Sequence, residues 1–164
     1  MITKDQLAAS MLRECDIAKH LFTKLPAGAL DYRPTPGQRS TLELLRYLAI
    51  CGIAGIRAMV ENNLHVVTDY KAQVAEMAAA EFPAAMDRQK AQISEYFANV
   101  DERTLETEQA KLPGAPPMPL GAALMNAPLK WLTAYRMQLF LYAKAAGAEE
   151  IGTANAWAGI DWKG

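Results

Sequence analysis

The chain has 164 residues, enough for one domain that buries roughly two-thirds of the surface its unfolded form exposes. Seventeen basic side chains stand against eighteen acidic ones, so there is no broad positive field, and neither nucleic acid nor an anionic membrane is expected as a partner. The two cysteines, Cys15 and Cys51, form no C-x-x-C pair and fall on apolar helical faces, which predicts free buried thiols in a reducing, cytoplasmic setting.

Thr3 and Gln6 have the spacing of a capping box, so a helix starts there, and the amino terminus reads as a capped helix rather than a signal peptide. Ala8, Met11, Leu12, Cys15, Ala18, Phe22 and Leu25 keep one apolar face over about six turns, and Pro26 with Gly28 ends the element near Leu25. Residues 30–40, LDYRPTPGQRS, hold two prolines and a glycine and predict an extended loop. Ser40 and Glu43 repeat the capping box, opening a second helix through Leu42, Leu44, Leu45, Leu48, Cys51, Ala54, Ala58 and Met59. Its circumference is nearly all apolar, so it is either enclosed by neighbours or partly buried in an oligomer. Gly52 and Gly55 weaken this helix and point to close helix approach. Its apolar run, residues 48–56, falls far short of the roughly 20 residues that span a bilayer.

Asn62 and Asn63 close the second helix, and His65-Val-Val is too short to assign as a strand. A third helical region begins near Thr68 or Asp69 and is split by Pro83, which suits the first turn of a new helix lined by Met86, Ile93, Phe97 and Val100. Asp101 to Leu105 reads as a turn, and residues 111–119, with four prolines, as a stiff loop. The last helix starts near Leu120, is interrupted or kinked at Pro128, and stops at Gly147. It carries two seams: Trp131, Tyr135, Gln138 and Tyr142 in one, and Leu129, Leu132, Arg136, Leu139 and Ala143 beside it. The tail, with Trp157 and Trp162, has no helical period and is expected to fold back onto the bundle or a partner chain. The fold class is therefore all-α, a single four-helix bundle over residues 1–164 with proline-rich loops and an irregular C-terminal tail.

Two stretches carry a resemblance. Residues 30–40 running into Leu44-Leu-Arg-Tyr-Leu48, and Tyr135-Arg-Met-Gln-Leu139 leading to Ala145-Ala-Gly147, resemble the DinB-like family of bacterial four-helix bundles. The resemblance implies a histidine seven residues after the helix-two serine and a His-x-x-x-His-Arg-x-Gln run in the last helix, which together bind a divalent metal in thiol-dependent transferases and related enzymes. The corresponding positions here are Tyr47, Trp131 and Tyr135. A neutral phenol is a poor ligand for zinc or nickel and an indole has no lone pair to give, so no metal and no cofactor are expected.

The resemblance would bring Tyr47, Trp131 and Tyr135 together, with Cys51 one turn along from Tyr47 and Gln138 in the same seam as Tyr135. These five residues either line a pocket for a small organic ligand or fill the space left by metal and water. Arg136 lies in an apolar seam and needs a partner, with Glu43 or Asp31 as candidates and structural anchoring favoured over oxyanion binding. His20, near a helix end, and His65, in a loop, lack the paired spacing of a metal site. No nucleophile elbow or phosphate loop occurs. The expected function is a small-molecule-binding or structural protein, a homodimer through apolar helix faces. The alternative is a divalent-metal-dependent thiol S-transferase or hydrolase using non-standard ligands, and a weaker idea is a metal-free enzyme using Tyr47, Tyr135 or Cys51.

Overall fold

The structure is a computed structural model that describes residues 2–162. Helix α1, Lys4–Phe22, opens on the expected box: Gln6 N donates to Thr3 Oγ1 at 3.2 Å, and Thr3 N donates to Gln6 Oε1 at 3.1 Å. It ends short of Leu25 because Thr23 turns back on His20, its N–H and hydroxyl both donating to the His20 carbonyl. Helix α2, Thr41–Val60, starts on the second box, between Ser40 and Glu43, and closes at Asn62, whose φ of 48° places it in the left-handed region.

Helix α3, Val66–Gln73, begins two to three residues earlier than the sequence suggested and absorbs the residues after His65 that had looked unassignable. Helix α4, Phe82–Asn99, carries Pro83 in its first turn, where a missing N–H costs nothing. The expected turn after it is instead a short helix α5, Glu102–Thr107, because Asp101 accepts from Thr104 N at 2.7 Å and caps it. The proline loop contains a minimal antiparallel pair, β1 (Gln109–Ala110) and β2 (Met118–Pro119), joined to the end of α2 through the Asn62 side chain. Helix α6, Leu120–Leu124, passes through a π-helical turn around Pro128 into α7, Lys130–Ala145. The extra residue of a π turn absorbs the proline without ending the helix. Gly147, at φ 116°, closes α7, and Ala148 N donates back to Ala143 O as in a Schellman motif.

Helices α1, α2, α4 and α6–α7 form the bundle. α1 and α2 lie on one diagonal, each flanked by α4 and α7, while α3 covers the outer side of α2. Fourteen of the twenty α2 residues are buried, so this apolar helix is largely enclosed by its own chain. The two glycines explain how. A Cβ on Gly52 would stand 2.9 Å from Leu132 Cδ1, and one on Gly55 2.9 Å from Pro128 Cβ and 3.0 Å from the Trp131 ring. The approach at Gly52 also admits Gln89 from α4, which is 1% exposed. Gln89 Nε2 donates to Leu48 O at 2.9 Å and its Oε1 accepts from Gly52 N at 2.8 Å, engaging the carbonyl and amide that a helix pairs with each other. This buried, satisfied amide locks α4 to α2 in one register.

The tail departs from the expectation of irregular structure. It folds back as anticipated, but as helix α8, Thr153–Ala158, against α1 and α7. Arg136, 0% exposed, holds it there. Its Nη1 donates to Ala156 O at 2.5 Å, and its Nε and Nη2 donate to Glu14 of α1 at 2.7 and 3.3 Å. The partner is thus Glu14 rather than Glu43 or Asp31, which lie on elements that α7 does not present Arg136 to. Trp157 lies over the Arg136 guanidinium at 4.9 Å, yet Trp157 and Trp162 remain 56% and 77% exposed.

Candidate functional site

The amino-terminal half of α2 and the middle of α7 face each other, and there the rings of Tyr47 and Tyr135 meet edge to face, with centroids 4.8 Å apart. Cys51, one turn along α2, is wholly buried and its thiol turns inward toward the Leu48 carbonyl. Trp131 lies against Gly55, two turns along α2 from Tyr47, and forms no aromatic pair with either tyrosine among the described residues. Gln138 Nε2 donates to the Tyr142 hydroxyl at 2.6 Å, and that hydroxyl donates to the Arg39 carbonyl at 3.0 Å. Gln138 therefore anchors the loop before α2. Tyr32 packs edge-on against Tyr142 from the same loop, at 5.4 Å.

The loop so held delivers a residue that the sequence did not single out. Arg39, just ahead of the helix cap, places its Cζ 4.3 Å from the Tyr47 ring centroid and 5.3 Å from that of Tyr135. Lys71 of α3 approaches the Tyr47 ring from outside, at 5.5 Å. Beside these groups is a cleft of about 250 Å³ lined by Arg39, Glu43, Arg46, Tyr47, Lys71, Val74 and Ala75. Cys51, Trp131, Tyr135 and Gln138 do not line it, so Tyr47 alone of the five expected residues reaches the cleft. Only the position of Arg39 next to the Ser40 cap could have flagged it. Nothing local indicated that α3 would bring Lys71 over the same ring.

Burial works against two of the residues weighed as acid, base or nucleophile, Tyr47 and Cys51. Burial pushes the Tyr47 hydroxyl well above the usual phenol range and pushes the Cys51 thiol up as well. Cys15, packed nearby, is pushed up to about 12 by its burial. All three move away from neutrality, opposite to what a base or nucleophile requires. The Glu43 carboxyl is held low, first by the backbone N–H of Ser40 and further by Arg33.

The overall helical arrangement matches a solved structure. The crystal structure of a DinB-like protein (YjoA) from Bacillus subtilis superposes with a TM-score of 0.67, at 15% identity, over 90% of this chain and 96% of that one. The chain has a DinB-like fold. No family model matches the sequence, and no curated protein matches it. Within this DinB-like bundle, Tyr47, Trp131 and Tyr135 occupy the three positions at which the resemblance implies imidazoles. Among the described residues, no three His, Cys, Asp or Glu side chains come together as a possible metal cluster. Among the described residues, no helix is long and apolar enough to cross a membrane. His20 contacts Asn155 and Asp161 of the tail, and His65 begins α3, far apart in the chain and on different helices.

A larger cavity of about 820 Å³ opens elsewhere, between the carboxyl-terminal half of α2, α4 and α5. Tyr96, on its wall, carries the one buried side-chain polar atom without a hydrogen-bond partner among the described residues. Its α2 residues begin at Ile53, so it is separate from the Tyr47 cleft.

Proposed function

We propose that this DinB-like bundle is a cytoplasmic, metal-independent protein that binds a small organic ligand in the cleft beside Tyr47. The observation that carries the reading is Tyr47 with Arg39 laid over its ring, together on the wall of a cleft of small-molecule size, while Tyr135 backs the Tyr47 ring from behind without reaching the cleft. The donor set does not fit a divalent metal. Tyr47 would have to ionise to coordinate, and burial opposes that; Trp131 offers no lone pair and is directed to Gly55. Tyr135 alone cannot make a site. The free, buried thiols of Cys15 and Cys51 suit a reducing compartment.

A homodimer remains part of the proposal, on a different surface from α2. Met125, Leu141, Trp157, Ile160 and Trp162 are large apolar side chains left exposed along the outer side of α6–α7 and the tail. Light scattering at micromolar concentration should give twice the chain mass, and a monomer would remove this part.

The ligand reading is tested by an amide-resonance screen of small organic molecules together with elemental analysis of untagged protein. Shifts should cluster at Arg39, Tyr47, Val74 and Ala75, with only trace metal. One equivalent of tightly held zinc or nickel would overturn the reading in favour of a metal-dependent transferase or hydrolase, and shifts confined to other surfaces would also sink it.

A further inference from the structure

The Tyr47 cleft is lined by three cations, Arg39, Arg46 and Lys71, against one carboxylate, Glu43. That carboxylate is already committed: Glu43 Oε2 accepts from Ser40 N at 2.7 Å and pairs with Arg33 at 3.3 Å. Arg46 is partly committed, with Nε donating to Met77 O at 2.9 Å. Neither the Arg39 guanidinium nor the Lys71 ammonium has an ion pair or hydrogen bond among the described residues, although Arg39 is half-buried. A guanidinium held over ring faces keeps its in-plane N–H groups for a planar acceptor, and a desolvated one without an anion is costly. The Gln138–Tyr142–Arg39 carbonyl relay fixes the backbone from which the side chain springs, and the guanidinium itself rests on the Tyr47 and Tyr135 rings.

We infer that the cleft takes a small organic oxyanion, a carboxylate or phosphate ester with a short apolar or aromatic body, bound through Arg39 and Lys71 with the body against Tyr47 and Val74. This rests on the reading of the cleft as a ligand site and adds the ligand's chemical class. Arg39 supplies a fork that matches two oxygens, while Lys71 closes the outer side as a point charge. The cleft volume of about 250 Å³ accommodates one ring and its acidic group, not an extended polymer.

The test uses the full chain and four probes of matched shape: benzoate, phenyl phosphate, benzyl alcohol and benzylammonium, titrated by amide chemical-shift mapping. Benzoate or phenyl phosphate should bind at Arg39, Tyr47 and Ala75, and the stronger of the two identifies the acidic group. Benzyl alcohol and benzylammonium should bind at least about tenfold more weakly. Arg39→Ala should weaken the acid about tenfold or more, and Lys71→Ala by less, with both variants folded and Arg39→Ala melting no more than about 4 °C below wild type, the loss expected from its ring contacts alone. If all four probes bind the cleft equally, or Arg39→Ala leaves the acid unaffected, the cleft survives as a ligand site and the anion assignment falls. If none shifts these residues, both fall.

Discussion

Removing Glu14 should destabilise the protein more than removing any other carboxylate in it. Among the described residues, Glu14 is the sole carboxylate on Arg136, a guanidinium that is 0% exposed, while the Glu14 side chain itself is 15% exposed. Glu14→Ala leaves Arg136 with the Ala156 carbonyl and the face of Trp157, an under-compensated buried charge. Breaking such a pair from one side costs about 3–5 kcal/mol, and the partial exposure of Glu14 lets water in and favours the lower end. At roughly 2–4 °C per kcal/mol for a chain of this size, a loss of about 3 kcal/mol lowers the midpoint by about 6–12 °C. Thermal unfolding followed by far-UV circular dichroism measures it. Glu43→Ala is the internal control: it removes the side-chain half of the capping box that accepts from Ser40 N, and an exposed pair with Arg33, together about 1–2 kcal/mol. The double variant Glu14→Leu/Arg136→Met, which removes both charges, should recover most of the loss. If Glu14→Ala melts within about 2 °C of wild type, or Glu43→Ala is the more damaging of the two, then Arg136 is not held as described.

Gly55→Ala should destabilise although alanine is the better helix former, because its methyl would meet Pro128 and Trp131 at about 3 Å; overpacking of this kind costs about 1–3 kcal/mol, and a rise in urea midpoint would contradict it. His20 makes stability pH-dependent. Burial holds its imidazole below the ordinary value, so as pH falls through the unfolded value of about 6.5 the unfolded chain binds more protons than the folded one and stability falls. His20→Gln should flatten urea midpoints as pH falls below about 6.5, and an unchanged slope would show that burial of His20 is not the source of the pH dependence.

Much of the architecture was legible because its signals are local. The boxes at Thr3–Gln6 and Ser40–Glu43, Pro83 in a first turn, the break at Pro128 and the stop at Gly147 each involve groups within about one helical turn, so the sequence itself displays both partners. The apolar period likewise marked the core, and Gly52 and Gly55 announced a close approach. The same logic explains two misses: the capped turn after Asp101 and the short helix of the tail are too brief for a period to declare itself.

The site was only partly legible. Tyr47 and Tyr135 could be paired through the resemblance, and they do meet. Arg39 and Lys71 reach the same ring from a loop and from α3, and no spacing rule connects those segments.

By itself, then, the sequence determined where helices begin, bend and end, which faces are apolar, and that no imidazole stands at Tyr47, Trp131 or Tyr135. Only the tertiary structure decided that Arg136 pairs with Glu14 across 122 positions, that Gln89 enters α2, and that Arg39 lies over Tyr47. The reason is physical: capping and periodicity act within a single turn, where few partners compete. A buried charge or amide must instead choose among many distant groups, and that choice is made by how the helices pack.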